Sequence, residues 1–340
     1  MVQLAGYHLG LVAAASGDND AAELHLRAVA TNGTPELRNL AGTALARIGR
    51  STPARRWTAY ARAGPGFDTN RNQIADTLEI EGPKPESAYA DLYGVFVGRV
   101  RQLGDSTLQA SVFVRNYEVD DELDQSAIQL LLRKSWRTLR WRFALAGEFE
   151  STMLDGEGLY DACSVGLEAA RRVGKSTLRL RYRPSVISAG RTYDYLDGQR
   201  HQLEIGDEVA LGAARMQLGY EVEVNDRRDL ERGSEFYSQS PVRHGPVLRW
   251  SRAVTPNLQL DLSAAYRRSR YGDENRQFVD GSFVTERRVD SLIVAGLVLR
   301  LDLGESWGLR LDYRHSDNRS TLVPYAYDRD VASLALEWRH

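Results

Sequence analysis

The chain has 340 residues, with 44 basic against 46 acidic side chains and a single cysteine, Cys163. This near-neutral balance, with no basic stripe along the chain, excludes the electrostatic footprint of nucleic-acid binding. One cysteine excludes a disulfide framework and a cysteine-based metal cluster. No apolar run approaches the length of a membrane helix. Strands that span a membrane are still allowed, because each needs only about 9–11 residues with every second one apolar.

The first 52 residues are rich in alanine and leucine at helical spacing, interrupted at "SGDND" and "TNGTP". Ser16 or Asp18 is expected to cap the second of three predicted helices, and Pro35 fits the first turn of the third. The Met1 end shows no basic start followed by an apolar core and a cleavage site, so no signal peptide is recognisable. The sequence therefore predicts a short helical domain over 1–52.

This helical domain resembles a tetratricopeptide repeat, and the resembling residues are Tyr7, Leu9, Gly10, Ala22, Leu26 and Pro35. A single repeat cannot bury its own apolar face, since such units need stacked neighbours. On this resemblance the chain is expected to be cut from a longer protein. The alternative is an ordinary helical hairpin that packs on the following domain.

From residue 53 to the end the chain alternates apolar and polar residues, which predicts a second domain over 53–340 made of strands. Many of these strands are about 10–15 residues long, well above the usual length in soluble proteins. The fourteen candidate strands span 57–67, 87–102, 106–117, 125–136, 139–150, 159–172, 176–187, 199–210, 214–225, 243–252, 257–269, 286–302, 306–316 and 327–339.

The connections between the candidate strands alternate between tight and long. Tight turns are predicted at 103–106, 135–138, 172–176, 210–214, 253–257 and 302–306. Long polar loops are predicted at 68–86, 117–125, 150–158, 188–199, 225–243, 270–285 and 316–326. Short turns at one end and long loops at the other are typical of outer-membrane barrels. The predicted fold is a mainly β, closed, antiparallel, up-and-down transmembrane β-barrel of about 14 strands, which follows the helical domain.

Aromatic residues give a second indication of a membrane. All six tryptophans fall at the tight-turn end of a candidate strand, and we expect them to form a girdle at the membrane interface. They are Trp57, Trp136, Trp141, Trp250, Trp307 and Trp338. A second girdle is expected from tyrosines at the loop end, namely Tyr117, Tyr160, Tyr193, Tyr195, Tyr266, Tyr271, Tyr325 and Tyr327.

Alternation also assigns the two faces of each strand. In "LRLRYR" (178–183), leucine and tyrosine alternate with arginine, so one face meets lipid and the other a wet lumen. The predicted lumen-lining residues are Arg142, Glu148, Glu168, Arg179, Arg181, Arg215, Glu221, Glu223, Arg249, Asp261, Arg310 and Asp312. Charges of both signs predict ion pairs between neighbouring strands. They either brace the interior or form a selectivity surface for a polar passenger.

No catalytic, cofactor or metal site is predicted. The six histidines lie apart without metal-ligand spacing, and the nearest acid–histidine pair, His315 with Asp317, is expected at a wet strand end. Cys163 alternates with Val165 and Leu167, which predicts a small lipid-facing residue. The acidic loops 119–124 and 271–281 are expected to be solvated, or to bind a partner or divalent ions at the cell surface.

Three stretches carry a family resemblance: Trp57, "GFDTNRN" (Gly66 to Asn72) after the first strand, and the closing "YAYDRDVASLALEWRH". With the helical domain before them, they resemble the surface lipoprotein assembly modifier family, and the hairpin at 249–271 also reads like one of its barrels. The resemblance implies an outer-membrane translocator that brings lipoproteins, or soluble haem- or metal-acquisition proteins, to the cell surface. It also implies periplasmic repeats that engage the polypeptide passenger and a barrel inserted by the barrel assembly machinery. Two features depart from the family: the repeats are cut to about one unit, and the last residue is His340 where an aromatic is usual.

Three other functions fit the pattern. An exopolysaccharide exporter also joins periplasmic repeats to a barrel, although its lumen is expected to carry aromatic and acidic residues more than arginine. A diffusion porin would show large steady channels after reconstitution, whereas a gated translocator would stay closed. A surface receptor would bind through the long loops.

Overall fold

The computed structural model describes residues 2–15, 19–32, 35–50, 57–73, 86–100, 103, 106–119, 121–138, 140–279 and 281–340. The chain divides into two compact units, Met1–Arg56 and Trp57–His340. The first unit is helical and the second consists of strands.

The helical unit contains α1 (Val2–Ala15), α2 (Asn19–Asn32) and α3 (Pro35–Arg50), and the third helix begins at the proline expected there. Leu26, Val29 and Ala41 form its buried core. Gly10 lies against the side chain of Leu26, so α1 and α2 approach each other closely. The expected helix caps, Ser16 and Asp18, lie outside the described residues. No helix in the described ranges has the length and apolarity needed to cross a membrane.

The second unit is built from long strands. They are β1 (Trp57–Asp68), β2 (Ser87–Val100), β3 (Ser106–Tyr117), β4 (Gln125–Thr138), β5 (Trp141–Leu154), β6 (Glu157–Val173), β7 (Ser176–Ala189), β8 (Gly198–Leu211), β9 (Ala214–Arg227), β12 (Pro241–Thr255), β13 (Leu258–Val279), β14 (Ser282–Asp302), β15 (Trp307–Ser320) and β16 (Tyr327–Arg339). Two short strands, β10 (Leu230–Arg232) and β11 (Glu235–Tyr237), lie in the connection from β9 to β12.

The fourteen long strands form one closed antiparallel sheet in the described part of the chain. Each pairs with its neighbours in chain order, and β1 pairs with β16 to complete the ring. Closure leaves no long strand with an unpaired edge. The fold class predicted from the sequence, a closed antiparallel barrel of about 14 strands, is confirmed.

The pairing of β1 with β16, which we call the seam, is interrupted at one point. Ladder partners run from Tyr60 to Ala63 and resume at Gly66, with none at Gly64 or Pro65. Proline has no N–H to donate to the ladder. A Cβ on Gly64 would overlap the carbonyl oxygen of Leu334 on β16, so only glycine allows the two backbones to lie this close.

Several connections differ from the sequence prediction. The stretch 150–158, predicted as a long loop, is a tight hairpin turn between β5 and β6, with positive φ at Asp155 (50°) and Gly156 (72°). This is the Asp-Gly turn that matches strand twist. The stretch 270–285, also predicted as a loop, belongs largely to β13 and β14. The tight turn predicted at 135–138 lies instead between Thr138 and Trp141.

The long hairpin of β13 and β14 escapes the sequence prediction because its residues are polar on both faces, so it lacks the alternation that identifies a half-buried strand. Cross-strand pairs support it instead: Glu274 lies opposite Arg287, and Phe278 opposite Phe283. The two phenylalanine rings contact edge to face, with centroids 5.3 Å apart. The separation of tight turns and long loops at the two ends is therefore less strict than the sequence suggests.

The outer face of the barrel is aliphatic. Its exposed side chains at alternating strand positions include Leu92, Phe96, Leu130, Leu132, Leu145, Val165, Leu167, Leu178, Leu180, Ile205, Leu218, Leu248, Ile293, Leu311, Leu334 and Leu336. Polar residues at the intervening positions point inward. This distribution of apolar and polar residues is the reverse of that in a water-soluble protein, where the large apolar side chains are mostly buried.

Candidate functional site

The charged lumen is the candidate functional site. All twelve residues predicted to line it occupy inner positions of their strands: Arg142, Glu148, Glu168, Arg179, Arg181, Arg215, Glu221, Glu223, Arg249, Asp261, Arg310 and Asp312. Their positions alternate with the exposed aliphatic residues of the outer face. Most of them make polar contacts with neighbours, whereas Arg142 and Arg215 form no ion pair with a described residue.

A first band of contacts, the loop-side row, crosses the wall from β4 to β12. The side-chain amide of Gln129 donates to Glu148 Oε1 at 2.7 Å. Arg183 Nη1 donates to both oxygens of Glu148 at 3.1 Å, although β6 lies between their strands. Because the arginine reaches over a whole strand, these side chains lie flat along the inner wall.

The loop-side row continues through β8 and β9. Arg183 Nε donates to Gln202 Oε1 at 2.9 Å, and the Gln202 amide donates to Glu223 Oε2 at 2.7 Å. Arg243 Nη1 donates to the other oxygen of Glu223, Oε1, at 2.8 Å, and this hydrogen bond is the last of the row. Charge-assisted hydrogen bonds of this kind contribute more than neutral ones.

A second band, the turn-side row, lies closer to the tight turns. Arg133 contacts Glu168, which also accepts from Arg181 Nε at 3.0 Å. Arg181 Nη1 donates to Glu204 Oε2 at 3.3 Å, and Gln217 reaches the same carboxylate at 3.4 Å. Acids and bases therefore alternate around the wall, as the mixed signs in the sequence predicted.

Other predicted residues form separate pairs. Arg179 Nη2 lies 2.5 Å from Glu208, Arg249 lies 3.8 Å from Glu221, and Asp261 accepts from Arg300 at 2.7 Å. Sequence analysis assigned the faces but did not name Arg183, Gln202, Arg243 or Arg300 as site residues. The same alternation predicts these four residues to face the lumen when it is followed into the polar ends of β7, β8, β12 and β14.

Glu337 of β16 joins four strands near the tight-turn end of the seam and is fully buried at 0% exposure. It accepts from the Tyr60 hydroxyl at 2.6 Å and from Arg339 Nη2 at 2.5 Å. Arg310 of β15 and Arg300 of β14 lie 3.7 and 4.0 Å away. The carboxylate balances part of the positive charge that converges on it, and Asp261, Asp302 and Asp312 pair with the same arginines.

The "GFDTNRN" stretch closes the other end of the seam. Asp68, also at 0% exposure, accepts from Arg329 Nε of β16 at 2.9 Å and from the Tyr117 hydroxyl of β3 at 3.1 Å. The Asn70 amide donates to the carbonyl of Asp328 at 3.0 Å. These residues connect the first strand to the last and to β3.

Inside the wall, a cavity of ≈ 620 Å³ is lined by residues of β3 to β9 and β12 to β14. Its lining includes both rows, with Glu148, Glu168 and Glu223 among the acids and Arg181 and Arg243 among the bases. The cavity is comparable in size with small-molecule sites, and apolar side chains such as Leu131 and Val247 line it together with the charged ones.

The six tryptophans all lie at the tight-turn end of their strands, as the sequence indicates. Trp57 stacks on Phe96 and on His340, with centroids 5.9 and 4.2 Å apart, and Trp338 also stacks on His340. Trp307 lies opposite Trp338 in the ladder. Trp136 and Trp141 both contact Phe143, and Trp250 lies opposite Met216 on β9. The membrane-interface role of this aromatic band stays a prediction.

The expected tyrosine girdle is not continuous. Tyr117 and Tyr160 occupy inner strand positions, where their hydroxyls donate to Asp68 and Glu150 at 3.1 and 2.7 Å. Tyr271 is buried and lies under the guanidinium of Arg288. Tyr266 faces outward with 40% of its surface exposed. The prediction failed at these inward tyrosines because position along a strand does not fix the face, whereas parity does.

Charges on the loop side hold the short strand β11 against β13. The backbone N–H of Phe278 donates to Glu235 at 3.1 Å, and this hydrogen bond holds the pKa of Glu235 below its ordinary value. Partial burial, with the neighbouring Glu235 carboxylate, raises the pKa of Tyr237 to about 12. Near the end of β15, His315 contacts Asp330 at 3.0 Å and Asp328 at 3.6 Å rather than Asp317.

Within the described ranges, no three side chains of His, Cys, Asp or Glu come together as a metal site. Cys163 is exposed on the outer face, between Phe149 and Val186 on the adjacent strands. The polar chemistry of the barrel is therefore that of the ion-pair rows and the two ends of the seam.

No protein-family model and no curated protein matches the chain. Among solved structures it is similar to the outer membrane channel DcaP of Acinetobacter baumannii, at 9% identity and a TM-score of 0.47 over 84% of this chain and 96% of that one. It is similar to a bacterial polysaccharide outer membrane secretin at 12% identity and a TM-score of 0.45, over 83% and 98% of the two chains. OccK1 of Pseudomonas aeruginosa gives 11% identity and a TM-score of 0.41, over 84% and 98%.

Proposed function

We propose that this chain is an outer-membrane transport protein whose lumen guides a polar passenger across the membrane. The observation that carries the proposal is the contrast between the two faces of one closed sheet. The outer face is an aliphatic band suited to lipid, and the inner face holds two rows of alternating acids and bases around a cavity. A wall of this kind lines a wet path.

The passenger that we favour is a polypeptide, either a lipoprotein or a soluble haem- or metal-acquisition protein. The resemblance to the surface lipoprotein assembly modifiers supports this choice, as does the participation of the "GFDTNRN" stretch in the seam. A polypeptide carries both charge signs and backbone amides, which the mixed donors and acceptors of the rows complement. Because β1 begins at the tight-turn end, we place the helical domain in the periplasm.

A diffusion channel is the second candidate, and the cavity of ≈ 620 Å³ inside the wall favours it. Conductance separates the two functions. In a planar bilayer, a diffusion channel gives steady openings without a passenger. The Arg181→Ala variant removes a charged side chain that lines the cavity, and it should raise the conductance of such a channel. The matched variant Leu180→Ala lies on the outer face of the same strand and should leave the conductance unchanged.

The transport role is tested in cells by blocking the lumen. Ala146→Trp places an indole in the cavity, whereas Leu145→Trp puts the same group on the lipid-facing side of β5. Surface biotinylation of the host's lipoproteins should fall with Ala146→Trp and not with Leu145→Trp. Heat-modifiable migration in gels verifies that both barrels are folded. Unchanged surface labelling and unchanged solute uptake in cells without the protein would refute a transport role.

A further inference from the structure

Four arginines gather on the inner wall at the loop end of β8, β9, β12 and β13: Arg200, Arg227, Arg243 and Arg267. We call them the mouth arginines. Arg200 lies opposite Asn225, two residues before Arg227 on the same strand. Arg243 lies opposite Glu223 on one side and opposite Ser269 on the other, two residues beyond Arg267. The ladder therefore brings the four guanidinium groups to one patch of wall.

The charges of this patch do not balance. Glu223 is the acid paired with Arg243, at 2.8 Å, and its other oxygen is occupied by Gln202. Arg200, Arg227 and Arg267 form no ion pair with any side chain in the described ranges. In the turn-side row, by contrast, Glu168 and Glu204 hold Arg133 and Arg181 in pairs. Positive charge is thus in excess among the four mouth arginines.

Unused donors also point into this patch. The Nε atoms of Arg200, Arg227 and Arg243 are buried and have no acceptor among the residues that the structure describes. Leaving charged donors without acceptors, and like charges side by side, costs free energy. Arg227 lies within electrostatic reach of both Arg243 and Arg200, and Arg267 within reach of Arg243.

Space for a ligand lies beside them. Arg243, Gly245 and Arg267 line the cavity of ≈ 620 Å³ inside the wall. The guanidinium of Arg267 is exposed to the lumen. Planar guanidinium forks bind carboxylate and phosphate groups through paired hydrogen bonds.

We infer that the mouth arginines form a binding site for an oxyanion, a carboxylate or a phosphate group, that enters the lumen from the loop side. The inference rests on the proposed transport function and gives it a selectivity element. Such a site concentrates anionic solutes, or acidic groups of a larger passenger, at one mouth of the path.

The experiment measures binding and selectivity separately on the full chain in detergent and in bilayers. Isothermal titration with citrate, and separately with inorganic phosphate, is run at fixed ionic strength against chloride. We expect at least one anion to bind, and the triple variant Arg200→Gln, Arg227→Gln, Arg267→Gln to bind it roughly tenfold or more weakly, because each charge-assisted hydrogen bond to the anion contributes about a factor of ten. Tighter citrate binding identifies a carboxylate site, and tighter phosphate binding a phosphate site.

The matched control is the pair Arg268→Gln, Arg270→Gln, which removes two exposed arginines from the outer face of the same region. It should leave both affinities unchanged. If the triple variant does not fold, Arg267→Gln alone, at the exposed position, serves in its place. Equal binding by wild type and variant, or no binding of either anion, overturns the inference.

In a bilayer with a potassium chloride gradient, the same triple variant should shift the reversal potential towards cation selectivity. Binding that depends on the mouth arginines without any conductance would leave the anion site in place and count against an open path. Conductance without binding that depends on the mouth arginines would count against the anion site and leave the open path in place. Arginine-dependent binding tests this inference, whereas surface labelling with Ala146→Trp tests the proposed function, so the two failures are distinguishable.

Discussion

At the scale of single residues, buried carboxylates determine how the wall is held together. Glu337 and Asp68 have no exposed surface, and each accepts hydrogen bonds from side chains of other strands. A buried acid of this type adds little when its pairs are intact, but its loss leaves unpaired arginines in a poorly solvated place. The two ends of the seam should therefore be far more sensitive to substitution than the lumen pairs.

We predict that Glu337→Gln lowers the free energy of unfolding by about 1–3 kcal/mol, because Tyr60, Arg310 and Arg339 lose a buried acceptor while Asp312 and Asp302 still pair the two arginines. Urea titration of the detergent-solubilised barrel, followed by tryptophan fluorescence, measures the change. Glu221→Gln is the control: its ion pair with Arg249 is about half exposed, so the expected cost is below about 1 kcal/mol. Equal effects of the two variants would contradict the prediction.

Alternation is sufficient to assign the face of each charged residue but not its partner. Arg183 reaches Glu148 across the whole of β6, and Arg133 likewise reaches Glu168 across β5. Partner choice depends on strand tilt, register and side-chain length, none of which a single strand pattern contains. Alternation places Arg267 on the lumen face, but the excess of charge among the mouth arginines becomes visible only when four strands are placed side by side.

At the scale of elements, Gly64 and Pro65 interrupt the seam, as Gly245 and Pro246 interrupt the pairing of β12 with β13. Here the backbones of β1 and β16 approach closely and the ladder is interrupted. The contacts of Glu337 and Asp68 lie on either side of this interruption. Side-chain hydrogen bonds therefore join β1 to β16 next to the point where backbone pairing is absent.

We predict that Gly64→Ala destabilises the barrel by about 1–3 kcal/mol, because the added methyl group forces β1 away from the carbonyl of Leu334. Gly147→Ala on β5 is the matched control, since no atom lies within 4 Å of the position its Cβ would take. Its effect should stay within about 0.5 kcal/mol. The midpoint of the heat-modifiable gel shift in urea reports both, and a larger effect at Gly147 would be inconsistent with this account.

The elements recovered best from the sequence are those with a clean apolar face, such as β7 and β9. The elements recovered worst are polar on both faces. The Asp155–Gly156 turn lies inside a stretch whose composition predicts a loop, and the outer parts of β13 and β14 are stabilised by charged and aromatic cross-strand pairs. Solvated hairpins do not need the binary pattern on which strand prediction depends.

At the scale of the whole molecule, the aliphatic band requires an apolar solvent. Exposed leucines, valines and phenylalanines surround the strands, whereas the interior holds charged and amide side chains. Hydrocarbon satisfies such an outer face, and water does not. We predict that the six tryptophans at the tight-turn end lie where hydrocarbon gives way to headgroups.

We therefore predict that the purified chain keeps its fold in detergent or lipid and aggregates when the amphiphile is removed. Size-exclusion chromatography and circular dichroism follow the change, and adding detergent before dilution is the control. A monodisperse, folded protein in plain buffer would show that the apolar side chains meet protein rather than lipid. The transport proposal would then lose its basis.

The pairing of β1 with β16 has a consequence for biosynthesis. The first strand of the sheet to be synthesised cannot complete its pairing until the last one is available, because residues such as Tyr60 and Glu337 are separated by 277 positions along the chain. Until β16 is in place, the partly assembled sheet presents two bare edges that are prone to aggregation. A nonsense mutation anywhere before residue 327 would yield an open sheet, a substrate for chaperones and periplasmic proteases rather than a shorter pore.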